Sequence, residues 1–424
     1  MEQLFSLSVA LMAGLLMSRV AKVMKLPAVT AYLVAGILIG PYVLGQFGIR
    51  GLGFVNSENV KEYSIFCDVA LGFIAFDIGN EFRLSQLKKI GKQATVIAFT
   101  QALAATILVD GVMIALHFAM PEVVTLPLAL VLGAIATATA PAATLMVVRQ
   151  YKAKGPLTKI LLPIVALDDA IGLVVFAISC GVANALGSGS VSLVSVFVEP
   201  LLEVILSLVL GAVMGWLLTV AEQYFESNSK RLSIVITFVI TTVALSMMEF
   251  EIGGIHIGFS SLLVCMMLGT IFCNICDFSE DMMARADKWT APLFILFFVL
   301  SGAELELGVF RNIAIVGIGI AYIIARSTGK CLGAYIGAKS TKCTDTIRRY
   351  LGITLLPQAG VALGMSMTVT ETMGEVGRLI RNITLFSVLI YELAGPMMTK
   401  IALMRAGEIS PRPEIVKQPN RKEE

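Results

Sequence analysis

Charge is what this chain has least of. Asp, Glu, Lys and Arg make up 15% of its 424 residues, hydrophobic residues make up 57%, and the mean hydropathy is +0.86. A soluble domain carries about 25% charged residues, and a water-facing surface cannot be built from so few. A string of soluble domains is therefore excluded. The seven cysteines are scattered, several inside apolar runs, which leaves no disulfide framework. Cys273 and Cys276 form a CxxC with no second pair and no histidine cluster beside it, so they read as ordinary thiols at a helix end. No basic region precedes the first apolar run, as a signal peptide would need; Met1 to Leu16 lead straight into a span. The net charge of +2 gives no case for nucleic acid. Nucleotide motifs are missing too. Gly317-Ile318-Gly319 lacks a preceding strand and the remaining glycine, and Ser327-Thr328-Gly329-Lys330 lacks the phosphate-loop spacing. A nucleotide-driven pump, an enzyme and a bound cofactor are not expected.

What is present is a series of apolar runs long enough to cross a lipid bilayer, which takes roughly 20 residues each. They fall near 5–18, 27–46, 63–80, 94–117, 122–148, 160–186, 192–222, 232–248, 255–276, 289–303, 312–337, 350–371 and 382–403. The expected fold is an all-α polytopic membrane protein of about thirteen transmembrane helices. It is read as one transmembrane domain with a short tail at 405–424.

Loop charge orients the spans. One alternating set of loops and the C-terminal tail hold 25 of the 32 lysines and arginines, and the other set holds five. The two left over, Arg326 and Lys330, lie inside a segment. The C-terminus is expected in the cytoplasm and the N-terminus outside. A faint internal repeat runs through the segments. Segment three ends with Gly79-Asn80-Glu81-Phe82-Arg83-Leu84, and segment ten with Gly302-Ala303-Glu304-Leu305-Glu306-Leu307; both carry Gly-x-Glu-apolar-x-Leu. Segment five carries Pro141 after Thr137 and Thr139 and before Thr144; segment twelve carries Pro357-Gln358. Each pair is seven spans apart, so the copies face opposite ways, the mark of inverted-topology repeats. Prolines at mid-membrane unwind helices and leave polar backbone facing a cavity; a simple kink at Pro141 is the other reading.

Asp168 and Asp169 stand about ten residues from the cytoplasmic end of segment six, roughly 15 Å deep, half the apolar core. Ionised carboxylates cost a few kcal/mol each at that depth, and adjacent like charges repel. Such a pair is poised to hold either a proton or a cation. A polar pair satisfied by neighbouring helices is the alternative. Arg326 and Lys330 sit one turn apart on one face of segment eleven, in the same depth band. Lysine, unlike arginine, can lose its proton when buried; the other reading has Lys330 snorkelling to the interface. Gly329, Gly333 and Gly337 suit close helix packing. Glu392, in segment thirteen, matches Arg326 in depth, and the two are assigned to a structural pair. The other reading has Glu392 facing a water-filled cavity and Arg326 pairing with another acid, such as Asp168. Asp77 and Asp110 read as interfacial or cavity-lining, and His117 and His256 as near the outer surface.

With these pieces assembled, the chain resembles the monovalent cation:proton antiporter superfamily, especially its electrogenic sodium/proton branch. The likeness runs over about residues 5–403. It is carried by Leu26-Pro27-Ala28 through Gly36-Ile37-Leu38-Ile39-Gly40-Pro41, Phe76-x-x-Gly79-x-Glu81, segment five, Asp168-Asp169, and Gly329-Lys330-x-x-Gly333. The resemblance implies a homodimer, with a dimerisation part at about 1–92 and 225–308, a mobile core at about 93–190 and 309–405, and a linker helix at 191–224. Helices five and twelve would be broken and cross at the ion site, where Thr137, Thr139, Pro141, Thr144, Pro357 and Gln358 line the cavity. Asp169, beside Asp168, would bind the transported monovalent cation and the proton, with Asp168 paired to Lys330 for charge compensation. Asp77 stands where an apolar residue is expected, and Gln358 where some relatives carry a charge. Two other functions remain open. One is a potassium-efflux channel or antiporter of the same fold, whose gated relatives carry a nucleotide-binding domain for which the short tail leaves no room. The other is a proton-coupled carrier of organic anions, clamped by Arg326 and Lys330.

Overall fold

Apolar composition makes the helices, and proline decides where they break. In the computed structural model the described residues are 2–24, 26–48, 53–56, 60, 62–80, 84–188, 199–225, 227–248, 250–252, 255–276, 279–305, 307–308 and 312–409. The helices run α1 (Glu2–Val23), α2 (Ala28–Ile39), α3 (Ser64–Asn80), α4 (Leu84–Ala119), α5 (Leu126–Ile135), α6 (Pro141–Gln150), α7 (Pro156–Ser188), α8 (Glu199–Gln223) and α9 (Asn228–Ser246). They continue with α10 (Ser261–Ile275), α11 (Ser279–Glu304), α12 (Ile313–Ser340), α13 (Asp345–Thr354) and α14 (Gly360–Arg405). Among the described residues, eight helices are long and apolar enough to cross a membrane, and a ninth if the halves of α11, bent by 46°, count as one span. The fold is all-α and polytopic. Its exception is a small hairpin, β1 (Phe250–Ile252) paired antiparallel with β2 (Ile255–Ile257). This corrects the expected start of segment nine: the β-branched stretch Ile255–Ile257 is a strand, and α10 begins only at Ser261, capped by the Ser260 side chain. Glu81 to Arg83, Glu306 and the tail from 410 onward lie outside the described residues.

Segment five is two helices. The residue before a proline is pushed out of the α region, and Ala140 has φ −85° and ψ 101°. So α5 stops at Ile135, and α6 restarts with Pro141 at its first position, where a missing N–H costs nothing. Pro357 does the same between α13 and α14. The two breaks meet: the Ala140 N–H donates to the Pro357 carbonyl at 2.8 Å. The simple-kink reading of Pro141 is thereby overturned. Farther along, α14 bends at Gly374, whose φ of 56° suits a residue without a Cβ.

The helices pack in two groups. In one, α2 crosses α11, α3 crosses α10, α1 lies on α2, and α8 and α9 lie against α10. Both crossings are closed by glycine pairs. Gly36 meets the α11 backbone and Gly302 the α2 backbone, while Gly79 meets the α10 backbone and Gly269 the α3 backbone. Segments two and nine, and three and ten, thus exchange places, as an inverted repeat requires. In the other group α12 lies along α4, with Gly329, Gly333 and Gly337 against the α4 backbone. Around that pair stand α5, α6, α7, α13 and α14.

Candidate functional site

The breaks lie against α7 and α12. Asp168, near the middle of α7, is fully buried and fully engaged. Its Oδ2 accepts from Lys330 Nζ at 2.9 Å and from Thr139 Oγ1 at 2.6 Å; its Oδ1 accepts from Gln101 Nε2 of α4. Lys330 Nζ also donates to the Thr137 carbonyl at 2.6 Å and to Thr139 Oγ1 at 2.8 Å. One turn away, Arg326 spends its guanidinium on backbone. Nε donates to the Ala136 carbonyl at 3.0 Å, Nη2 to Ala138 at 2.6 Å and Nη1 to Leu356 at 2.7 Å. These carbonyls are exposed by the unwinding after α5 and α13, where the helix dipoles end negative. Two cations therefore hold two broken helices by the ends that would otherwise be unsatisfied.

Asp169 is different. It is 2% exposed, and neither carboxylate oxygen has a hydrogen-bond partner among the described residues. The Thr144 hydroxyl and the Gln101 Oε1 are also buried and unpartnered. A buried carboxylate with no donor is stable only when something neutralises it. A proton or a small cation can do that, and only one of them at a time is needed.

Residues 7–405 match the model of the family described as "Sodium/hydrogen exchanger, transmembrane". The chain belongs to that family. This places the exchanger in the monovalent cation:proton antiporter superfamily, whose members are transporters, and makes it an integral, multi-pass membrane protein. It is 22% identical over 405 residues to the K(+)/H(+) antiporter subunit KhtU of Bacillus subtilis (strain 168), covering 93% of this chain and 92% of that one. It is 22% identical over 341 residues to Cation/H(+) antiporter 17 of Arabidopsis thaliana, covering 78% of this chain and 40% of that longer protein. The fold superimposes on the sodium proton antiporter MjNhaP1 of Methanocaldococcus jannaschii with a TM-score of 0.70 at 19% identity, over 96% of this chain and 99% of the other.

Several expectations for the exchanger need correcting. Arg326 and Glu392 do not form an ion pair. Arg326 faces the helix breaks and stacks over the Tyr391 ring at 4.5 Å, and the Glu392 Oε2 is buried without a partner. Matching depth put them at one level, but position around the helix axis turned them apart. Arg326 does not pair with Asp168 either, because Lys330 holds that place. Lys330 is fully buried and does not snorkel. Gln358 is tied on both ends of its amide. Nε2 donates to the Ile135 carbonyl and to Tyr322 Oη, both at 3.0 Å, and Oε1 accepts from Ser387 Oγ at 3.2 Å. It braces the crossing, with both amide ends engaged. Thr137 Oγ1 turns to the Ala134 carbonyl. Asp77 is buried and ion-paired at 2.7 Å to Arg149, which is partly exposed in the last turn of α6. Gln101 went unnoticed in the sequence; an amide in the middle of an apolar run was the available signal.

Proposed function

We propose that this protein exchanges a small monovalent cation for protons by alternating access, with Asp169 as the carboxylate both compete for. The observation that carries the reading is the asymmetry of the aspartate pair. Asp168 is saturated by Lys330, Thr139 and Gln101, while Asp169 has no partner. Sodium is the cation named for the family and for the structural neighbour, and potassium the one named for the Bacillus relative; lithium is the third candidate.

The exchange is electrogenic in this reading. Lys330 releases its proton as the site fills, so two protons leave for each cation that enters. The spans number thirteen, with the N-terminus outside and the C-terminal tail in the cytoplasm, as the charge split supports. The helices packed around α4 and α12 form the moving core, and those of α1 to α3 and α9 to α11 form the part that dimerises, with α8 linking them. This division is supported by the packing of the helices into two groups. Moving cations against protons across a cell's bounding membrane serves pH homeostasis.

The test is a proteoliposome assay of internal pH against added Na⁺, Li⁺, K⁺ and organic anions. Asp169→Asn is expected to insert and fold, and to lose exchange. Substantial cation-driven proton flux from that variant would sink the proposal. Flux driven by organic anions in the parent would favour the carrier reading instead.

A further inference from the structure

Glu392 is a buried carboxylate for which neither the fold nor the aspartate pair has a use. It is 7% exposed, its Oε2 has no hydrogen-bond partner, and no cation lies within ion-pair distance among the described residues. Its position is set by its neighbours on α14. Five residues before it, Ser387 holds Gln358; three residues after it, Gly395 lies against Pro357. Glu392 therefore stands at the level of the broken crossing. Leu393, the next residue, packs against both large apolar clusters, one within the core group and one built largely from α2, α3 and α11. This stretch of α14 thus faces the seam between the two helix groups.

Among the described residues, no cation on the elements packed against α14 pairs with this carboxylate. At this level α5 brings no titratable side chain and α2 brings only Tyr32. Arg149 of α6 is tied to Asp77. From α12, Arg326 is tied to backbone carbonyls and Lys330 to Asp168. From α7 come the aspartates themselves, and α13 carries Asp345, Arg348 and Arg349 at the end away from its break. A carboxylate with no counter-charge at this depth is costly unless it carries a proton.

We propose that Glu392 is a proton-relay residue of the exchange pathway, distinct from Asp169 and Lys330, placed at the seam and working in series with Asp169. It takes a proton from water reaching the seam when the helix groups part. It hands that proton on through water in the seam towards Asp169 as the cation leaves, and is reprotonated from the same water, so that the unpaired carboxylate is ionised only in passing. This rests on the proposed role of Asp169.

Glu392→Gln separates a proton carrier from a structural residue. Replacing a protonated acid that has no partner on Oε2 with its neutral isostere is expected to leave the melting temperature in detergent at or above the parent's. The same variant is expected to exchange at least about tenfold more slowly at saturating cation, with an altered pH profile and an unchanged KM for Na⁺ or K⁺. Glu392→Asp, which keeps the carboxylate, is expected to recover part of the rate. Parent-like rate and pH profile in Glu392→Gln overturn the proposal. So does a lowered melting temperature that is non-additive with Arg326→Gln, since that is the behaviour of a structural pair. Asp169→Asn, run alongside, tells the two failures apart. If it is inactive while Glu392→Gln is parent-like, only the role of Glu392 falls; if it exchanges normally, the reading of Asp169 falls first.

Discussion

At the scale of single residues, the site is a lesson in unequal neighbours. Asp168 and Asp169 are adjacent and both buried, yet one is saturated and the other bare, because successive residues on a helix point about 100° apart. The charges themselves were legible in the sequence, since any Asp or Lys inside an apolar run stands out. Spacing alone did not say which aspartate meets Lys330; the family resemblance implied Asp168, which is the ion pair found, and Gln101 was not noticed at all. In the proposed cycle Lys330 is the residue on which the stoichiometry turns. With it, filling the site can expel a proton from the lysine as well as from Asp169. Without it, the carboxylates trade charge for charge. Lys330→Gln is expected to be inactive or electroneutral, as read by a potential-sensitive dye during sodium- or potassium-driven flux. A variant that remains active and builds the parent's membrane potential would show that the lysine is not the second carrier.

At the scale of elements, Arg326 joins two broken helices that the chain separates by roughly two hundred residues. Its three donors reach carbonyls after α5 and after α13, and its charge faces two negative helix ends. The sequence marked both breaks through their prolines, and marked Arg326 as structural. It assigned the wrong partner, because spacing along a helix gives depth but not the direction a side chain takes between several neighbours. Arg326→Gln leaves buried carbonyls unmet and is expected to cost on the order of 3 kcal/mol. This would be read as a lower melting temperature in detergent, with exchange lost because the crossing no longer holds Thr137 and Thr139 in place. The partner effect expected from the sequence, rescue by Glu392→Gln, should be absent. An Arg326→Gln variant with the parent's stability would show that water replaces the guanidinium at the breaks.

At the scale of the whole molecule, the two helix groups touch through a few polar contacts at one end of the seam. Asp77 of α3 pairs with Arg149 of α6, and the next residue, Gln150, accepts from the Ala28 N–H at the start of α2. Alternating access requires the groups to slide, so these contacts must open in each cycle. With cysteines at 77 and 149 in a background lacking the native thiols, oxidation is expected to lock the groups and stop exchange, and reduction to restore it. Unimpeded exchange in the cross-linked protein would mean that this end of the seam does not open. Orientation is tested separately. A cysteine placed after Arg421 is expected to resist an impermeant reagent in intact cells and to react after lysis; labelling from outside would invert the topology.

The sequence by itself determined the medium, the helices and the chemistry. Low charge forces the chain into lipid, Pro141 and Pro357 mark the two breaks while Pro163, Pro292 and Pro396 stay inside helices, and an acid in an apolar run must be neutralised by a fixed cation, a proton or a passing ion. These are local consequences of residue type. The turn of Arg326 towards carbonyls, the grip of Gln101 on Asp168, the isolation of Asp169 and Glu392, and the link between Asp77 and Arg149 were decided only by the tertiary structure. Each depends on which neighbours arrive first at a polar atom from distant parts of the chain, and in lipid, where water offers no substitute, the arrangement that satisfies the most buried groups wins.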